Sequence, residues 1–502
     1  MPRPQLSSVL GLAIVLLTAV LGGAADLPDS LRSMLEKSAS LGLGRFPIGF
    51  WNYADLGTDA VHLDEAAVAE WADAGFTVTM GPSFDPSHPE QVQHMGNLLA
   101  WAERRGMKLI LSDPRTRGPR SSAGGSEVAL PREQAARIAA AVAAFARHPA
   151  AFGFHIGDEP DLPRMNAHLD CARLTKEAAP RLHPFLNFLP YYSPGLEAAA
   201  SYPTWDDYLA FFSAAAQRGK LDLFCYDCYT QMLADPLGVD IYFGNLRLYR
   251  EMAWRAGIPF WTTLLAVGHF DYRCPSYDDL RWQFNTAIAS GAQGILWFHY
   301  YLRGGESNYR LAPVDENWER TATYYHLRHF QKLFHRRYGD LFLRLAPTRV
   351  SFWPHPRGGG EMFTPDELVA EIIVDSGAFV DPRGALHEPR DPKHPLLLGE
   401  FTDATGGRYV MLVNNSAEKS VRVALTFPGP DVKIYSWDNG REREGAAYSA
   451  DVNSSRMLER SEHGVRIWHW LAPGQEAVYR VDSEAIRKAP ITTQAKAATG
   501  RG

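Results

Sequence analysis

The chain has 502 residues, 46% of them apolar, enough to bury the cores of two or three domains or of one large barrel with an added module. Its net charge of −6 comes from interspersed acids and bases with no basic stripe, which argues against a nucleic-acid partner. The 13 Trp and 21 Tyr are dense in the middle of the chain, where flat rings either fill cores or stack on sugars.

Residues 1–25 read as a secretory signal. Arg3 supplies the positive end, VLGLAIVLLTAVLGG the apolar middle, and Gly23 and Ala25 the small residues before a cut at Asp26. No cysteine lies near the cut, and no other stretch is long and apolar enough to span a bilayer. The mature protein is therefore expected to be secreted or periplasmic, with no stable membrane anchor.

From residue 26 to about 340, short apolar runs alternate with amphipathic helical stretches. The runs are RFPIGFWNYAD, GFTVTMGPS, MKLILSDPR, AFGFHIGDEP, PFLNFLPYY, LDLFCYDCY, IPFWTTLLAVGHF and GAQGILWFHYY. Strand followed by helix, eight times over, predicts a (β/α)8 TIM barrel. A doubly wound sheet would carry a Gly-rich phosphate turn after its first strand, and GFWNYAD is not one. Helices ending in Gly (WADAGFTV, AERRGMKL, WRAGIPFW, IASGAQGI) mark the start of the strand that follows. The polar residues then gather at the opposite, C-terminal ends: Asn52, Asp55, Ser83, Asp113, Asp158, Glu159, Asn187, Asp227, His269 and His299. Barrel active sites are built at those ends.

Four cysteines lie in this region: Cys171, Cys225, Cys228 and Cys274. Residues three apart on a strand point to opposite faces, so CYDC is neither a redox nor a zinc pair. Export permits disulfides, and Cys228 with Cys274 is the pairing expected. Residues 345–482 change to short alternating segments punctuated by Gly, Pro and Asn, predicting an antiparallel β-sandwich. Asn414 and Asn453 open weak glycosylation sequons, and residues 483–502 read as a disordered tail.

AFGFHIGDEP carries the chemistry. Phe152, Phe154 and Ile156 alternate with His155, Gly157 and Glu159, so the first three are expected to face the helices and Glu159 the barrel mouth. Pro160 ends the strand. A carboxyl group at an apolar rim beside Asp158 gains a raised pKa from desolvation and like charge, which suits a general acid. Trp51 and Asn52 after strand one, Asp113 after strand three, Asp158, Tyr226 and His299 are candidate substrate-binding groups, since sugars have apolar faces and polar edges. Tyr53, Arg115, Tyr191, Tyr192, His269 and Tyr300 lie near them. Asp113, His155 and His299 lack metal-site spacing, so neither a metal nor a cofactor is expected.

An acidic residue followed by Glu-Pro at the end of strand four, and GILWFHYY at strand eight, resemble the glycoside hydrolases of clan A. The following sandwich, with LAPGQEAVYRV at its end, is similar to the accessory domains of β-galactosidase-like members. The resemblance implies Glu159 as acid/base, Trp297 as a sugar platform and a carbohydrate substrate. The chain departs from that pattern at strand seven, where the family places a nucleophilic glutamate and IPFWTTLLAVGHF has none. Asp227 on strand six is the first candidate for the second carboxylate; Asp271 and Glu306 are the others. The expectation is an exported glycosidase, the alternative a non-catalytic carbohydrate-binding protein on the same barrel.

Overall fold

The computed structural model describes residues 27–119, 128–191, 205–233, 235–303, 308–380, 384–387, 391–438, 440–444 and 458–494. The expected signal, Tyr192, Glu306 and Asn453 lie outside the described residues. Eight strands, β1 Ile48–Phe50, β2 Val78–Ser83, β3 Lys108–Ser112, β4 Ala151–Asp158, β5 His183–Phe188, β6 Phe224–Asp227, β7 Phe260–Leu265 and β8 Ile295–Phe298, form the first sheet. They pair in parallel from β2 through to β8, and β8 pairs with β1. The ring closes between β1 and β2 partly through side chains. Thr77 N donates to Ile48 O at 2.8 Å, and the Thr77 and Thr79 hydroxyls accept from Ile48 N at 2.9 Å and Phe50 N at 3.3 Å. This is the expected (β/α)8 barrel, and every apolar run quoted above supplies one of its strands.

Helix α1 (Asp29–Ser40) precedes the barrel. Helices α2 (Glu65–Asp73), α3 (Pro89–Arg104), α4 (Gln134–Phe145), α5 (Leu162–Ala178), α6 (Trp205–Gly219), α7 (Pro236–Ala256), α8 (Tyr277–Ala289) and α9 (Ala322–Tyr338) follow β1 to β8 in turn. The glycines expected to stop helices, Gly75, Gly106, Gly257 and Gly291, all have left-handed backbone, with φ of 91°, 68°, 64° and 101°. Side chains fill the barrel itself: Val78, Met80, Ile110, Phe152, Phe185, Cys225, Trp261 and Leu296 pack inside it. A second apolar layer lies between strands and helices.

After the barrel comes a seven-stranded sheet edged by β10 (Glu361–Met362) and β18 (Arg441–Glu444), with β12 (Phe379–Val380) and β13 (Leu386–His387) paired apart from it; its body is β9 (Ala346–Trp353), β14 (Leu396–Thr402), β15 (Arg408–Asn414), β21 (Glu476–Asp482) and β17 (Lys433–Asp438). These five pair antiparallel in that order. Facing it is a four-stranded antiparallel sheet in the order β11 (Glu371–Val374), β16 (Val421–Pro428), β20 (Gly464–Leu471) and β19 (Leu458–Ser461). The sandwich core between the two includes Leu398, Val410, Leu412, Val423, Leu425 and Ile467. The outer face of the larger sheet, with Leu397, Phe401, Met411 and Val413, belongs to the same apolar layer as the barrel helices.

Three expectations are corrected. Cys228 and Cys274 are not bridged: the buried Cys228 thiol lies 3.4 Å from the Thr230 hydroxyl, while Cys274 Sγ donates to Arg310 O at 3.9 Å. Residues 483–494 are ordered. Helix α10 (Glu484–Lys488) is capped by Ser483, Ile486 and Ile491 are buried, and Gln494 exchanges hydrogen bonds with the Val350 backbone at 3.1 and 2.8 Å. The Asn414 sequon is closed to modification, because its amide is buried and donates to Lys419 O, Leu471 O and Ala472 O. No described helix is long and apolar enough to cross a membrane.

Candidate active site

Strand β4 does not keep strict alternation. Its pairing slips once against β3, after Ala151, and once against β5, between His155 and Gly157. Such slips place two residues opposite one and reverse which face follows. Phe152 therefore points into the barrel, with its ring 5.5 Å from Trp261, while Phe154 and Ile156 join the outer layer. His155 faces in, 5.2 Å from Trp51. Gly157 faces out: a Cβ there would lie 2.2 Å from His168 Cδ2 on α5. Phe152 and Gly157 thus face opposite to expectation, while His155 faces in as expected. Asp158 now turns to the mouth, and Glu159 reaches it through a left-handed backbone, φ 43°. Glu159 N still donates to Asn187 O at 2.9 Å. Pro160 follows, and Asp161 caps α5 by accepting from Arg164 N.

Three carboxyl groups meet here. Asn187, at the end of β5, donates from Nδ2 to Asp158 Oδ1 at 3.0 Å and to Asp227 Oδ1 at 2.8 Å. The Glu159 and Asp227 carboxyls are near enough for each to shift the other's ionisation. Asp158 is open to the mouth yet crowded by protein on its other sides. Desolvation, then the Asp227 charge, push its pKa up to about 7, against the opposing effects of Asn187 and the Arg117 guanidinium. Desolvation, then the charges of Asp227 and Asp158, raise Glu159 far above the usual carboxylate range. Desolvation raises Asp227 too, offset by hydrogen bonds from Asn187, Glu159 and Tyr229. A carboxylic acid donating to a carboxylate is the arrangement these shifts describe, with Glu159 the donor.

An aromatic wall flanks the carboxyl groups. Phe298, the inward residue at the end of β8, lies 5.1 Å from Tyr229, 5.4 Å from His269, 5.8 Å from Tyr53 and 6.0 Å from Tyr309. Tyr53 is exposed and senses all three carboxyl charges. His299 is fully buried. Its Nδ1 donates to Tyr301 O at 2.7 Å, and burial drives its pKa down to about 4, leaving a neutral ring whose Nε2 is an acceptor without a partner among the described residues.

Of the residues singled out in the sequence, Glu159, Asp158, Asp227, Trp51 and His299 come together at the mouth. Two do not. Trp297 points outward, fully buried between Phe284 at 6.4 Å and Phe330 at 5.9 Å, so Phe298 takes the position expected of it. Tyr226 also points outward and stacks on Tyr249 at 3.8 Å; Tyr229 is the mouth tyrosine instead. Asp113 is fully buried and paired with Arg115 at 2.6 Å. The Asn52 amide is taken up by Met80 O and Ala54 N. Both brace the rim. Tyr300 stacks on Phe50 outside the barrel, and Asp271 is exposed. Among the described residues no cluster of His, Cys, Asp and Glu could hold a metal.

No family model matches the chain, and no curated protein matches it in sequence. Solved structures do match in fold. A catalytic mutant of a family 42 β-galactosidase from G. stearothermophilus aligns at a TM-score of 0.52 and 11% identity, covering 87% of this chain and 98% of that one. β-Galactosidases from Marinomonas ef1 (TM-score 0.43, 10% identity) and Halorubrum lacusprofundi (0.43, 15%) align over 57% and 58% of this chain. The chain spans 59% and 58% of their lengths. The chain thus shares the barrel-plus-sandwich fold of the G. stearothermophilus enzyme.

Proposed function

We propose that the protein is an exported glycoside hydrolase that cleaves O-glycosidic bonds of an oligo- or polysaccharide, with Glu159 as general acid/base and Asp227 as second carboxylate. The observation that carries this reading is the gathering of Asp158, Glu159 and Asp227 around Asn187 at the barrel mouth, beside the Phe298–Tyr229–Tyr53 wall. The wall offers a sugar its apolar partner. When the glycosidic oxygen enters, it replaces Asp227 as acceptor of the Glu159 proton. The C1–O bond breaks as that proton reaches the leaving oxygen, and the Asp227 carboxylate meets the positive charge developing at C1. Retaining pairs stand about 5 Å apart and inverting pairs about 6.5–9.5 Å. On the retaining course Asp227 bonds to C1 as the leaving oxygen departs. Water then releases the sugar, with Glu159 taking the water's proton.

The test is turnover of a panel of aryl glycosides and polysaccharides by the wild type and by Glu159→Gln. Loss of a general acid lowers kcat by about 10²–10⁴-fold, and that fall is expected here. The second reading, a carbohydrate-binding barrel without catalysis, is favoured by the buried apolar end of β7, Leu265–Ala266–Val267. Sugar binding with equal inertness of both proteins would establish it.

A further inference from the structure

We propose that Asn187 sets the order in which the three carboxyl groups ionise, the two aspartates first and Glu159 last, and so makes Glu159 the acid; this rests on the glycosidase reading above. An amide nitrogen has two protons to give and nothing to accept with. Asn187 gives one to Asp158 and one to Asp227, at 3.0 and 2.8 Å. Its orientation is fixed by those neighbours, since the flipped amide would set its oxygen against two carboxylates. A donor favours the ionised form of whatever accepts from it. Glu159 receives no donor from Asn187 and instead faces both aspartates. The asymmetry therefore lies in the geometry: one buried amide on β5, between β4 and β6, serves both neighbours and leaves the third carboxyl to hold the proton. Asn187 touches no reacting atom in this scheme. It is a positioning residue, and its backbone carbonyl also anchors Glu159 N at 2.9 Å.

The other groups around the cluster do not reproduce this asymmetry. The Arg117 guanidinium acts on Asp158. Tyr229 donates to Asp227, while Tyr53 and Tyr272 face the cluster as un-ionised phenols. Cys225 and Cys228, under Asp227, are thiols held un-ionised by burial. Buried His155 carries no charge, its pKa pushed down to about 3 by desolvation. No other side chain among these bonds to both aspartates.

The sign of the effect follows. Activity needs Asp227 ionised and Glu159 protonated, so the rate rises as pH passes the Asp227 pKa and falls as it passes that of Glu159. Removing the amide raises the pKa of Asp227. At the pH where Glu159 ionises Asp227 is already charged, so the basic limb stays in place and the bell narrows from its acid side. The experiment is the pH profile of kcat/KM for Asn187→Ala and Asn187→Ser, on the aryl glycoside the wild type turns over best. A hydrogen bond to a charged group is worth about one pH unit or more. The acid limb of Asn187→Ala should move up by that amount, and Asn187→Ser, with one hydroxyl donor, should move less. A uniform fall at every pH with both limbs in place would mean the residue only braces the strand ends, and the proposal would be wrong. The wild type also gives an answer independent of turnover. Carboxyl-¹³C NMR titration, assigned with Glu159→Gln and Asp227→Asn, should show Glu159 ionising last. Glu159 ionising before either aspartate overturns the inference, whereas inertness on every glycoside overturns the glycosidase reading and leaves the titration to decide this one.

Discussion

Neighbouring residues on one strand can have unrelated roles, and β8 is the clearest instance. Ile295 and Trp297 face the helices, while Leu296 and Phe298 face the barrel lumen. Trp297 is fully buried against Phe284 and Phe330, so it acts on stability. Phe298 reaches the mouth and touches Tyr53, Tyr229, His269 and Tyr309, so under the proposed function its effect falls on substrate binding. Trp297→Ala is expected to destabilise the protein by about 3–5 kcal/mol in urea unfolding, with KM unchanged in the folded fraction. A large rise in KM at intact stability would instead return that ring to the sugar site. The motif GILWFHYY drew attention to its largest ring, but facing follows position along the strand rather than ring size.

At the scale of the element, the two slips in β4 decide where the acid stands. The slip against β5 ends at Gly157, which lets the strand pass close to α5, where His168 lies with Nδ1 bonded to Arg164 O at 3.0 Å. Gly157→Ala would bring a Cβ within 2.2 Å of that ring. Overpacking of this kind costs about 1–3 kcal/mol. Because the strain falls two residues before Glu159, kcat should fall as well, by roughly 10²-fold for a displacement near 1 Å. Adding His168→Ala should restore much of both; a double variant no better than Gly157→Ala would show that the ring is not the obstacle. The eight strands were legible because helix and strand periods alternate and glycines punctuate them. The facing within β4 was not, because period-two alternation assumes an unbroken ladder, and the slips arise from how β4 matches β3 and β5. Asn187 was visible as a polar strand end. Its bridging role was not, since its partners Asp158 and Asp227 lie 29 and 40 residues away in sequence.

At the scale of the whole molecule, the sandwich is joined to the barrel by a continuous seam. Gly399 on β14 comes so close to α8 that a Cβ would lie 2.1 Å from Ala289 O, and Trp254 Nε1 on α7 donates to Pro347 O at 2.7 Å. The polar centre of the seam is Glu476, the first residue of β21, which is buried. Its Oε1 accepts from Arg337 at 2.7 Å and from the Tyr338 hydroxyl at 2.9 Å, both on α9, and its Oε2 accepts from Asn285 of α8 at 2.7 Å. All its acceptors face barrel donors, so the carboxylate clamps the last two barrel helices to the sheet. Removing it leaves the largely buried Arg337 cation without its counter-charge. Breaking a buried pair in this way costs about 3–5 kcal/mol. Glu476→Ala should therefore unfold at a lower temperature, and calorimetry should still give one transition, because Leu397, Phe401, Met411 and Val413 share one apolar layer with the barrel helices. Two separate transitions in the variant would mean that Glu476, rather than the apolar layer, makes barrel and sandwich unfold together. Since the clamp holds α8 and α9, the helices after β7 and β8, the loss should also reach the mouth as a modest fall in kcat that parallels the loss of stability.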